Sequence, residues 1–168
     1  MKKILFLSTG GTFNKHYSEH TGTIEIDKEA RTLKELAQKW RTRFDIQCII
    51  GKDSLEMDES DRTLLLETLR QSDSCDIIVI HGTDTMDRSA QVIAEARLPK
   101  RIVLTGAMTP YRVDKVEAAA NVAMAYGYLQ AEIKDGVYIA MNGVIGSHTQ
   151  VVKNREKGYF EPNKGMRI

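Results

Sequence analysis

Two short threonine motifs stand where this chain could do chemistry. Thr9-Gly10-Gly11-Thr12 follows the run Lys3-Ile4-Leu5-Phe6-Leu7-Ser8, and His81-Gly82-Thr83-Asp84-Thr85 follows Asp76-Ile77-Ile78-Val79-Ile80. A threonine hydroxyl is a weak nucleophile near neutral pH and needs a base beside it. Gly10 and Gly11 permit the sharp turn that would press Thr12 against a ligand. Thr83, Asp84 and Lys153 would supply the other half of such a site. Together these groups point to amide hydrolysis by a threonine nucleophile. By itself, Thr-Gly-Gly-Thr is equally a tight turn with a capping threonine, or a phosphate cradle. A phosphate loop needs a helix opening directly after it. Here Phe13-Asn14-Lys15-His16-Tyr17 leads into a polar, glycine-containing segment, residues 14–23, which reads as a mobile loop.

The elements that must hold these groups are legible as alternating runs. Residues 3–8, 45–50, 76–81, 101–105 and 137–141 are short and rich in Ile, Val and Leu, as in strands covered on both faces. Helical spacing separates them. Leu33, Leu36, Ala37 and Trp40 share one face of the first helix. Leu64, Leu65, Leu66 and Leu69 mark the second, with Ser60 or Asp61 as N-cap. Ala90, Ile93, Ala94 and Arg97 line the third, which starts near Thr85, and an alanine-rich fourth runs from about Asp114 to Ala131. Strand and helix in alternation predict a single α/β domain: a three-layer, flavodoxin-like open sheet, mostly parallel. In such sheets ligands bind outside the carboxyl ends of the strands. The tail from Asn154, with mixed charges, Gly158, Pro162 and Gly165, has little power to form a second domain.

The length of 168 residues suits one domain that buries a core without disulfides or metals. A formal charge of +1 with acids and bases interspersed gives no electrostatic reason for nucleic-acid or membrane partners. Cys48 and Cys75 are not in a CxxC arrangement and read as small buried hydrophobes, which suits a cytoplasmic setting. The apolar start is too short for a signal-peptide core and no cleavage site follows it. His16 and His20 are four apart, but the segment reads as loop and a third ligand is missing, so no metal is expected. His81 and His148 read as structural residues that orient their turns.

Six motifs in order make the chain similar to the N-terminal domain of the bacterial-type, threonine-dependent L-asparaginases. Thr9–Thr12 and His81-Gly82-Thr83-Asp84-Thr85-Met86 match the two signatures of that family. Asp53-Ser54-Leu55-Glu56-Met57 resembles its Ser-x-x-Met turn, and Thr105-Gly106-Ala107-Met108-Thr109-Pro110 resembles its Gly-Ala-Met-x-Pro turn. The spacings from Asp114 to Asn121 and from Asn142 to Lys153 also match. Departures accompany the matches. The family's C-terminal domain, which contributes an acid to the site, has no counterpart in residues 1–168. Thr23 stands where the loop tyrosine is expected, with Tyr17 nearby as a substitute, and Leu55 replaces a glutamine. The resemblance is therefore to a short, single-domain form.

The resemblance implies catalytic roles for Thr12, Thr83, Asp84 and Lys153, and substrate contacts from Ser54, Gly82, Asp84 and Ala107. Ser54 would hold an α-carboxylate, Asp84 an α-ammonium, the Thr83 N–H an oxyanion, and the Ala107 carbonyl the leaving amide nitrogen. A carboxylate beside a lysine favours its charged form, so Lys153 is expected to work through Thr83. The implied reaction is hydrolysis of L-asparagine, with L-glutamine as a slower substrate, without metal or organic cofactor. The implied assembly is a homodimer or homotetramer. Two rivals stay open: an amidase for another small amide, and a degenerate asparagine- or aspartate-binding protein. A nucleotide-binding protein is disfavoured, since GxGxxG and a P-loop lysine are missing.

Overall fold

A computed structural model describes residues 2–165. Ten strands and four helices follow one another as β1 (Leu5–Gly10), β2 (Lys15–Ser18), β3 (Thr23–Ile26), α1 (Arg31–Lys39), β4 (Asp45–Lys52), α2 (Glu59–Gln71), β5 (Asp76–Ile80), α3 (Met86–Glu95), β6 (Arg101–Thr105), α4 (Lys115–Gln130), β7 (Gly136–Met141), β8 (Val144–Ser147), β9 (Val151–Asn154) and β10 (Tyr159–Pro162). The main sheet runs β4-β1-β5-β6-β7-β8, parallel throughout except for β8. Taken in chain order, its parallel strands lie 2-1-3-4-5, the flavodoxin order. The fold is the mostly parallel α/β domain that the alternating runs predict.

Side-chain alternation divides the core into two layers. Phe6, Ile78, Ile80 and Val103 face α1 and α4, meeting Leu33, Leu36, Val122 and Leu129. Leu7, Ile77, Val79 and Leu104 face the other way, against Leu65, Leu69, Ala90 and Ile93 of α2 and α3. β5 is buried along its whole length. At roughly 1.5–3 kcal/mol for each large apolar side chain, this double-sided burial is the main term holding the strand ends in place.

Several local expectations are corrected. Residues 14–23 were expected to be a mobile loop, but Lys15–Ser18 pairs with Thr23–Ile26 as a ribbon, β2 against β3. Residues 151–162 form a second ribbon, β9 against β10, and Phe160 of the tail is buried. Strands of four residues show too little periodicity to be read from sequence. The N-cap of α2 is Asp58, two and three residues upstream of the candidates Ser60 and Asp61; its carboxylate accepts from Asp61 N, and Asp61 reaches back to Asp58 N. The buried stripe of α2 runs Arg62, Leu65, Leu69, while Leu64 is 47% exposed. Arg97 lies beyond the end of α3 with φ 48° and is exposed. Both cysteines are exposed thiols, not core residues; Cys48 lies on the edge strand β4, which has a neighbour on one side only.

Candidate active site

Four adjacent strands, β4, β1, β5 and β6, end at the same edge of the sheet, and the turns after them carry Ser54, Thr12, Gly82-Thr83-Asp84 and Ala107. The order of the sheet reverses between β1 and β5, the switch point where ligands bind in open α/β sheets. Glycines decide how closely these turns approach. Gly11 has φ 76°, and a Cβ there would stand 2.5 Å from both Cα and N of Gly82. A Cβ on Gly82 would stand 2.6 Å from Cβ and Oγ of Ser54. On the far side, a Cβ on Gly106 would stand 2.3 Å from the carbonyl oxygen of His81. Backbone therefore nests on backbone, and Thr12, Ser54, Thr83 and Ala107 all flank or make these contacts. Gly11 N donates to Lys52 O at 3.0 Å, and Asn14 Nδ2 closes the first turn on Gly10 O at 2.8 Å. Thr12 is half-buried and opens a single 3-10 turn, Thr12–Asn14, which passes into β2 without becoming a helix.

Lys153 arrives from far along the chain. Its Nζ donates to Thr83 Oγ1 at 2.9 Å and to Asp84 Oδ1 at 2.7 Å, with the lysine side chain 12% exposed. The path is a succession of pinned turns. Asn142 and Gly143, at φ 51° and 79°, make the tight turn from β7 into β8. Asn142 Oδ1 accepts from Phe160 N at 2.9 Å, and Phe160 is the cross-strand partner of Lys153. Asn142 N donates in turn to Asn121 Oδ1 at 2.9 Å. Asn121 Nδ2 donates to Gly106 O and to Glu117, whose carboxylate accepts from Met108 N and Thr109 N. One polar network thus positions both the Ala107 turn and the Lys153 ribbon. Arg155, two residues beyond, donates to Asp84 O at 2.7 Å.

Ser54 is 1% exposed, and its Oγ has no hydrogen-bond partner. Its carbonyl accepts from Thr85 Oγ1 at 2.8 Å, and Thr85 Oγ1 accepts from Arg62 at 3.3 Å. His81 is fully buried; its Nδ1 lies 2.7 Å from Gly82 O and its Nε2 2.8 Å from Ser89 Oγ. A carbonyl only accepts, so Nδ1 carries the proton and Nε2 accepts from Ser89. Burial drives the His81 pKa down to about 4; the Gly82 carbonyl opposes this and the Arg62 charge adds to it.

Spacing in sequence had linked Thr83, Asp84 and Lys153, and their side chains meet. Tyr17 is 61% exposed on β2, opposite Ile24, and Thr23 begins β3. Leu55, beside Ser54, is 71% exposed. His16 sits on β2 and His20 in the turn that follows, so they share no helical face. His148 Nε2 contacts Gln91 Oε1 at 3.2 Å, tying its turn to α3. A cavity of about 910 Å³ beside the β2–β3 ribbon has Lys15, Asp53 and Glu56 in its wall and reaches the centre through Asp53, next to Ser54. Thr12 and Thr83 do not line it, and side-chain chemistry is the better guide to the site than volume. Sequence reasoning missed Asn14, Arg62, Thr85, Glu117 and Arg155. Of the turns on this path, only Asn142-Gly143 carried a signal strong enough to be read, as a two-residue hairpin.

Hydroxyls and a lysine thus stand at the switch point of a flavodoxin-ordered α/β sheet. The family described as asparaginase, N-terminal, matches residues 3–160, and the chain belongs to that family. It is 26% identical to L-asparaginase 2 of Bacillus subtilis (strain 168) over 166 residues, covering 91% of this chain and 44% of that protein. The thermostable L-asparaginase from Thermococcus kodakarensis has the same fold, with TM-score 0.83 and 24% identity over 95% of this chain and 51% of its own. The probable cytoplasmic L-asparaginase from Campylobacter jejuni superposes with TM-score 0.73 and 24% identity, over 92% of this chain and 50% of its own. This chain spans about half the length of the relatives it matches. Among the described residues no helix is long and apolar enough to cross a membrane.

Proposed function

We propose that this chain hydrolyses L-asparagine to L-aspartate and ammonia through a threonine ester. Thr12 Oγ attacks the side-chain amide carbon, the C–N bond breaks, and the hydroxyl proton leaves with the nitrogen as ammonia. Water then attacks the ester; its proton passes through Thr83 Oγ1, which Lys153 holds in place, and returns to Thr12 as aspartate departs. The Thr83 N–H faces the oxyanion, a contact whose loss costs roughly two to three orders of magnitude in rate in comparable sites. Ser54 takes the α-carboxylate, Asp84 the α-ammonium, and the backbones of Gly82 and Ala107 complete the pocket. The observation that carries this reading is Lys153 Nζ at 2.9 Å from Thr83 Oγ1, on a turn packed against the one bearing Thr12. L-Glutamine is expected to turn over more slowly, since one methylene is worth about 1–3 kcal/mol in such pockets. A cytoplasmic setting, without nucleic-acid or membrane partners, belongs to the same reading.

Ammonia release by the purified chain over a panel of small amides tests it. L-Asparagine should be the fastest, and Thr12→Ala and Lys153→Met should each lower the rate by about 10²–10⁴-fold. Faster release from every other amide would move the assignment to a different amidase. One observation favours the binding reading: Lys153 and Arg155 both engage Asp84, which leaves less of its carboxylate for a substrate ammonium. A binder would release no ammonia, with or without Thr12, while still holding L-aspartate.

A further inference from the structure

Arg62 is a buried cation with very little to neutralise it. It is 3% exposed at the start of the α2 stripe. One terminal nitrogen donates to two carbonyls, Met57 O and Asp58 O, each at 3.1 Å. The carboxylate nearest to it is Glu59, at 3.5 Å; that side chain is 76% exposed and lies 3.4 Å from Arg88 as well. Asp58 and Asp61 are occupied with each other's backbone and with Lys52. The Nε of Arg62 is buried without a partner. An exposed, shared carboxylate offsets little of a buried charge. The other terminal nitrogen points toward the site: it donates to Thr85 Oγ1 at 3.3 Å, and Thr85 Oγ1 donates to Ser54 O at 2.8 Å. The field of Arg62 reaches the end of β5, where it adds to the depression of His81.

The ligand side of this chain of contacts is Ser54 Oγ, buried and unpartnered. A buried hydroxyl without a partner costs about 1–3 kcal/mol unless something fills its bonds. A cation behind it and a donor without a partner both favour an anion. We propose that Arg62 is a specificity-determining positioning residue: acting through Thr85, it holds the Ser54 turn and reserves that subsite for ligands with a free carboxylate. This rests on the amidohydrolase reading and assigns to Arg62, through Thr85, the preference of that subsite for a carboxylate over its amide. An asparagine whose α-carboxyl is itself an amide, as within a peptide, is discriminated against.

The test compares L-aspartate with its α-amide, which is neutral at the position that faces Ser54. Titration calorimetry on the native chain, Arg62→Lys, Arg62→Gln and Thr85→Val reads both affinities. Arg62→Gln should weaken L-aspartate about tenfold and the α-amide less than about twofold, with Arg62→Lys recovering most of the loss. In turnover, the KM for L-asparagine should rise while kcat stays nearly unchanged. If melting shows Arg62→Gln to be unfolded, Thr85→Val decides, with the same sign expected. Equal weakening of both ligands, or undiminished L-aspartate binding, would overturn the proposal, as would a native chain that holds both equally. Ammonia release by the native chain judges the reaction separately: a chain without turnover that still prefers L-aspartate would retire the hydrolysis and leave the role of Arg62 standing.

Discussion

His81 shows how one residue beside the centre ties its geometry to pH. Its two ring nitrogens are both engaged, and burial holds its pKa at about 4, against 6.5 for the free side chain. Above about pH 6.5 the imidazole is neutral whether the chain is folded or not, so stability is unaffected there. Between about 6.5 and 4 the unfolded chain binds a proton that the folded one refuses, and stability falls as pH falls. The full loss is about 3 kcal/mol by linkage. Urea midpoints measured from neutral pH down to about 4 should show native protein losing about that much more than His81→Gln. Parallel pH profiles for the two proteins would show that His81 is not held neutral in the fold.

At the scale of elements, the position of Lys153 depends on a turn that is distant in sequence. Asn142 plays two parts. Its φ of 51° makes the turn from β7 to β8, and its side-chain oxygen anchors Phe160 N on the ribbon that bears Lys153. Replacement by glycine keeps the first part and removes the second. Asn142→Gly should lower kcat for ammonia release by about tenfold while changing the melting temperature by only a few degrees, since a single anchoring hydrogen bond is worth about 1 kcal/mol. Asn142→Ala adds a left-handed Cβ strain of roughly 1–2 kcal/mol and should melt lower. Unchanged kcat in the glycine variant would place the alignment of Lys153 elsewhere, with Thr83 and Asp84 themselves.

At the scale of the whole molecule, exposed apolar side chains stand on the segments that follow the strand-end edge. Leu55 and the facing pair Tyr17 and Ile24 are each more than 60% exposed, and the turn bearing Leu55 and the ribbon bearing Tyr17 follow strands that end at this edge. Exposed apolar side chains on the segments that follow these strands suit burial against another surface. The homodimer or homotetramer inferred from family resemblance would supply it from a second copy. Sedimentation velocity should then show a dimer or tetramer, with specific activity falling as dilution dissociates it. A monomer of full activity would rule out a shared site.

Sequence alone determined what local chemistry determines. The runs around Leu5, Ile78 and Val103 announce buried parallel strands because their central positions are apolar on both faces, and the glycines of the two threonine turns announce a close approach because a side chain there would stand in its way. Gly10-Gly11 and Gly82 were therefore readable as the sites of contact before any partner was known. What they contact was not readable. The abutment of Gly11 on Gly82 and of Gly82 on Ser54 follows from sheet order, which is a long-range choice among pairings of similar local strength. The short ribbons β2–β3 and β9–β10 carry too few apolar residues to declare themselves, so the delivery of Lys153 was hidden. On α2, Leu65 and Leu69 lie inside as expected, but Leu64 does not, and a buried arginine leads the stripe where an apolar residue was sought. An isolated helix would turn Arg62 to water; it stays inside because Met57 O, Asp58 O and Thr85 Oγ1 receive it, and the last of these comes from a different element and exists only in the folded chain.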